Sequence, residues 1–196
     1  MPLTETDLDA TARFDLEGAP GGMRLLQDLV NTRPPEGAPH PDLLRDAETA
    51  SAWLAVAMRT WSERSGQDAP DATVTERELP ALRAFREQLG AWLADRERPL
   101  ATPERAIAVG LADGRATHRP RRGGADGLVA LVALELLMAQ HAEAPPRLKA
   151  CANPDCGAAF YDRSRNLSRV WHDVRTCGNQ ANLRASRARR RDTTPS

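Results

Sequence analysis

Three cysteines and one histidine, all beyond residue 150 of a 196-residue chain, constrain this sequence more than anything else in it. Cys151 and Cys156 form one pair, His172 and Cys177 a second; four residues lie inside each pair and fifteen between them. Three thiolates and an imidazole make a closed tetrahedral shell, the arrangement of structural rather than catalytic zinc. A chance cluster of buried thiols is the competing reading, and the symmetric pairing argues against it. A disulfide would leave one cysteine of three unpaired. Asn153-Pro154-Asp155 is a turn sequence that can fold Cys151 and Cys156 back toward one ion as a knuckle. His172 and Cys177 lie about 140° apart on an ideal helix, so a loop-to-helix junction is expected, with Cys177 at the positive end of the following helix.

Charge is as uneven as the cysteines. Residues 147–192 carry eleven Lys and Arg against four Asp and Glu, net +7, so the other residues, sixteen against twenty-three, carry −7. Arg163, Arg165, Arg169 and Arg175 lie between the ligand pairs, and Arg184 and Arg187 fall on one face of a helix after Cys177. A strip of guanidinium groups of this kind is an electrostatic footprint for nucleic acid. Arginine outnumbers lysine twenty-six to one, so position along the chain is the better guide than residue identity.

The rest reads as a mostly helical domain. Residues 1–11 are expected to be a disordered leader. The Gly/Pro cluster from Gly18 to Gly22, between Arg13-Phe14-Asp15-Leu16 and Met23-Arg24-Leu25-Leu26, predicts a small β-hairpin. Apolar spacing predicts helices from Pro41-Asp42 until Gly66 to Asp71 breaks the pattern, from about Leu79, from Thr102-Pro103 to Gly114, and from about Asp126 to Glu143. The last is the most apolar and is expected at the centre. Residues 116–122 read as a short strand or an open loop. Pro145-Pro146 then forms a stiff joint to a module at 147–191, whose Ala158 to Tyr161 segment reads as a strand, with residues 192–196 a disordered tail. The fold class expected is α+β, mostly α: a helical domain at 12–144 with a hairpin, then a zinc-stabilised β-knuckle plus helix. The longest apolar run, Leu128 to Ala139, contains Glu135 and is short for a membrane span. With no basic-then-apolar leader at the start, a cytoplasmic protein without a membrane partner is expected.

Several points in order give the last segment a family likeness. Cys-x4-Cys, Phe160-Tyr-Asp162, Ser164-Arg-Asn166, Ser168-Arg169, Trp171 and Cys177-Gly178-Asn179 resemble the CGNR zinc-finger family, in which such a module follows an N-terminal domain called ABATE. Phe14 to Arg33, including Leu29-Val-Asn31-Thr32, is similar to the start of that domain. The resemblance implies a stress-induced transcription regulator whose module binds zinc and DNA. His172 stands where the family commonly has a cysteine, and Gln180 where it has its signature arginine; the first remains a competent ligand, the second removes a charge.

Function is therefore expected to be regulatory, not enzymatic. No phosphate-binding glycine loop, nucleophile elbow or local His/Glu zinc motif occurs. Zinc would be held by Cys151, Cys156, His172 and Cys177, and double-stranded DNA by Arg163, Arg165, Arg169, Arg175, Arg184 and Arg187. Asp28, Asn31 and Arg33 are the candidate ligand-binding residues of the N-terminal domain, which serves sensing or dimerisation; a small-molecule effector and a homodimer are both left open. The alternative is an interaction or autoinhibitory module whose arginines meet an acidic protein surface.

Overall fold

The computed structural model describes residues 3–143 and 146–192, with the backbone alone for 185 and 187–192. The leader is not disordered in its described part. Thr4 caps a short helix α1 (Glu5–Leu8), and the Asp7 carboxylate accepts the Thr4 N–H at 2.9 Å, a reciprocal capping box. Ala10 and Thr11 are fully buried, and the Thr11 hydroxyl donates to Asp28 at 2.6 Å. The segment is held through polar partners that lie further along the chain.

No hairpin forms at residues 13–26. After a 3-10 turn (Ala12–Phe14) and a loop, the chain enters α2 (Met23–Asn31), in which every residue but Met23 is buried. Leu25, Leu26, Leu29 and Val30 follow the helical period, and Gln27 satisfies the loop by accepting the Ala19 N–H and donating to the Glu17 carbonyl. Gly22 has no room for a side chain, since a Cβ there would lie 1.8 Å from the Glu135 carboxyl carbon. Arg13 closes the far end of α2 by donating to the carbonyls of Asn31 and Thr32. Cations at a helix C-terminus satisfy orphan carbonyls and complement the dipole.

Around α2 pack α3 (Ala47–Ser65), α4 (Leu79–Ala94) and α5 (Gly124–His141). Helix α3 starts five residues later than its apolar spacing suggests, because Asp46 caps it through the Thr49 N–H while Asp42 is engaged by Arg86 at 2.7 and 3.0 Å. Gly66, left-handed at φ 67°, ends it. Helix α5, expected at the centre, is one wall: Leu128, Leu131 and Val132 face the core while Leu137 and Met138 are half exposed. Its length and composition would suit a membrane span, yet half of it is buried inside the body.

The hairpin of this fold lies elsewhere. Residues read as a third helix form β1 (Ile107–Ala112), paired antiparallel with β2 (Arg115–Pro120) through Asp113-Gly114. Both turn residues have positive φ, 49° and 74°. That is the two-residue Asp-Gly connection whose twist matches antiparallel strands.

The C-terminal strands β3 (Leu148–Ala150) and β4 (Ala159–Tyr161) are antiparallel and lie on the body, β3 against α4 and β4 against α2. Leu148, Ala150 and Ala159 belong to the same apolar core as Leu29 and Leu89. The strands of the module therefore share the core of the body; Pro145 of the expected joint lies outside the described residues. So do residues 193–196 of the expected tail, while Asp192 ends helix α6 (Asn179–Asp192).

Candidate metal centre

Each ligand is delivered by a different local device. Cys151 follows β3, its N–H bonded to the Ala158 carbonyl at 2.9 Å, and Cys156 closes the knuckle with its N–H on the Asn153 carbonyl at 2.9 Å. Gly157 completes that turn at φ 62°. His172 precedes a π-type turn (Val174–Gly178) whose N-cap, Asp173, accepts the N–H groups of Arg175 and Thr176. Gly178 N–H reaches back to the Asp173 carbonyl at 3.2 Å. This i to i+5 closure widens the turn, which is how residues five apart come to face one point before α6 begins.

The four donor atoms, three Sγ and His172 Nδ1, all lie within 4.8 Å of one another. Cys156 Sγ and Cys177 Sγ approach Nδ1 to 3.3 and 3.7 Å. A tetrahedral shell with zinc–sulfur bonds of ~2.3 Å and zinc–nitrogen bonds of ~2.0 Å has edges of roughly 3.5–3.8 Å. The donor set and spacing thus fit a structural zinc ion with no open position. A thiol hydrogen bond from Cys156 holds Cys151 far below its ordinary value; that same bond, with burial, pushes Cys156 up, and burial pushes Cys177 up. Three thiolates in so small a volume need a cation to coexist.

Residues 147–190 match the family described as CGNR zinc finger. The C-terminal segment is thus similar to CGNR zinc fingers. No curated protein matches the chain. Within the CGNR module the cysteines are buried with Ala158, and Trp171 and Leu16 pack over them. Asp162, fully buried, accepts from Lys149 at 2.8 Å and from the N–H groups of Ser164 and Arg169, which ties the 162–169 loop to β3. Burial alone would raise its pKa; the bond from Lys149 and those from Ser164 and Arg169 outweigh it and hold the carboxyl well below the usual range.

Asn153 is the functional residue that the sequence reading missed. It is almost fully buried, and its amide donates to Cys177 Sγ at 3.4 Å and to Gln180 Oε1 at 2.9 Å. Its carbonyl oxygen accepts from Arg184 at 2.8 Å, and Arg184 also pairs with Asp155. One side chain therefore joins the knuckle, a zinc ligand and the first turns of α6. The Asn-Pro-Asp signal was visible, but as a turn alone.

The predicted arginine set divides. Arg165 and Arg175 are exposed and make no ion pair among the described residues. Arg169 is exposed but donates to the His172 carbonyl and lies over the Phe160 ring. Arg163 pairs with Glu17 at 2.8 Å and donates to the Gly18 carbonyl, and Arg184 is engaged as above. The Arg187 side chain lies outside the described residues. Gln180, exposed, is turned toward Asn153.

Asp28, Asn31 and Arg33 are each engaged by partners within the chain. Asp28 is buried against Arg24 at 2.8 Å and Thr11. Asn31 accepts the Ala159 N–H at 2.7 Å and donates to its carbonyl at 3.0 Å, acting as a one-residue strand partner for the zinc module. Arg33 is exposed and pairs with Glu87. The polar residues at the end of α2 looked free in sequence because their partners lie elsewhere in the chain.

Proposed function

We propose that this protein is a cytoplasmic transcription regulator that binds duplex DNA through its CGNR zinc finger, with the acidic helical domain, similar to ABATE at its start, serving as the sensing or dimerising half. The observation that carries this reading is the junction at Cys177: zinc, Asn153 and the π-type turn fix the start of α6, so an arginine-rich helix leaves the metal centre in a set direction. Arg165 and Arg175 supply solvent-facing charge beside it. Phosphate contacts from such residues position a protein on DNA, and sequence is read separately by base edges.

Salt dependence tests it directly. Zinc-loaded protein titrated with duplex fragments should give a log–log slope of roughly −4 to −5 for about five phosphate contacts. Arg175→Ala should reduce the slope by about one. Absence of duplex binding at low salt defeats the proposal. A second reading, autoinhibition, is favoured by one contact, Arg163 with Glu17 and the Gly18 carbonyl, which joins a module arginine to the body. In that case Glu17→Ala tightens DNA binding; under the first reading it leaves it unchanged.

A further inference from the structure

The body handles its buried guanidinium groups in a consistent way, with one exception. Arg24 lies against Asp28 and Asp9, Arg86 against Asp42, and Arg13 against three main-chain carbonyls, those of Pro41, Asn31 and Thr32. Arg96, at the end of α4, is half-buried with a single hydrogen bond, to the Leu148 carbonyl at 2.6 Å, and stacks on the Trp92 ring at 3.7 Å. It pairs with no carboxylate among the described residues. Burial pulls its pKa below the ordinary arginine value.

Arg96 borders a cleft of about 230 Å³ where α4 and α5 meet the zinc module. Met23, Trp92, Leu136 and Tyr161 supply apolar walls, and a second guanidinium, Arg147, enters from the module side. Arg147 donates to the main-chain carbonyls of Asp162 and Ser164 and likewise pairs with no carboxylate among the described residues. Two cations beside an apolar slot are complementary to a ligand with an anionic head and an apolar body. The volume suits a small ligand: an apolar cavity of about 150 Å³ accepts benzene, so this cleft of about 230 Å³ has room for one ring and a carboxylate.

We propose that the cleft between α4, α5 and β3 binds a small monocarboxylate with a single aromatic ring or a branched apolar body, its carboxylate on Arg96 and Arg147. The ligand would touch the body and the zinc module at once, and so would stabilise their docking in proportion to its occupancy. This site is separate from the proposed DNA surface and stands or falls by direct binding.

The test is calorimetric titration of the zinc-loaded full chain with benzoate, with benzamide as the neutral isostere and phosphate as an anion without an apolar body. Benzoate should bind at least about tenfold more tightly than either, since charge-assisted bonds to guanidinium supply the difference. Arg96→Met, which keeps the stem, should remove that preference. Because Arg96 also holds Leu148, Ala139→Phe serves as a second variant that fills the cleft from α5 and should abolish benzoate binding while zinc content is retained. Equal binding of benzoate and benzamide, no saturable benzoate binding, or undiminished affinity in Ala139→Phe overturns the proposal.

Discussion

Between Met23 and His141 the chain is held by apolar side chains, with Trp53, Trp61 and thirteen leucines and valines buried among α2, α3, α4 and α5; between Cys151 and Cys177 it is held by metal ligands and buried polar groups. The contrast follows from size. A segment of some forty residues cannot exclude enough water by apolar burial, and the zinc finger meets this in two ways. Its near half, β3 and β4, borrows the core of the body, while its far half, the knuckle, the 162–169 loop and the start of α6, depends on the ion and on Asn153 and Asp162. Stability that looks modular in sequence is shared through the core at one end and centred on the metal site at the other, where Leu16, Glu17 and Glu36 add single contacts from the body.

The largest effect should come from the metal. Cys177→Ser is expected to lower zinc from one equivalent to near zero and to remove the α6 contribution to circular dichroism, since zinc binding coupled to folding is worth on the order of 10 kcal/mol. The body should keep a cooperative thermal transition. If that transition disappears with the zinc, the division between apolar body and metal-held far half is wrong.

Asn31→Ala probes the shared end. It leaves the Ala159 N–H and carbonyl without their best partner in a buried seam, a loss of about 2–3 kcal/mol. Urea unfolding of the zinc-loaded protein should report it, accompanied by faster amide exchange at Ala159. A change confined to zinc affinity, with unfolding untouched, would place Asn31 on the wrong side of the comparison.

Asn153→Leu acts on the far half alone. Removing the amide beside Cys177 Sγ should weaken zinc roughly 10- to 100-fold, measured by competition with a chelator, and leave the body's unfolding midpoint unaltered. Arg184→Met should reproduce the loosening of α6 with a smaller loss of zinc, because it reaches the thiolate only through Asn153.

The last effect is a pH slope in the body. Burial, opposed by Arg24 and Thr11, raises the Asp28 pKa to about 6. The folded state then binds the extra proton between the unfolded value, near 4, and about 6, so this group's contribution to stability falls as pH rises through that window. In Asp28→Asn that slope is absent, and the stability difference between the two proteins should change between pH 4 and 6 and stay level above 7.

Much of this was readable in one dimension. The quartet of ligands announces itself through spacing, because tetrahedral coordination tolerates few arrangements of two turns. Helices α3, α4 and α5 follow from apolar period and from a stop such as Gly66, whereas the Asp46 cap that starts α3 showed itself only in the fold. The hairpin was misplaced because a Gly/Pro cluster outweighed Asp113-Gly114, although Ile107, Val109 and Leu111 alternate as a strand should. Helix α2 was hidden by the polar residues it buries: Gln27, Asp28 and Asn31 look like surface until their partners are known.

By itself, then, the sequence determined the metal, its four ligands, the mostly helical body and the opposite charges of the two parts, since each depends on residues close together in the chain. Tertiary structure alone decided that Asn31 holds Ala159, 128 residues away, and that Asn153 governs α6. It likewise decided which arginines are spent within the chain. Those outcomes rest on hydrogen-bond partners that only folding brings within reach, and no local pattern of residues encodes them.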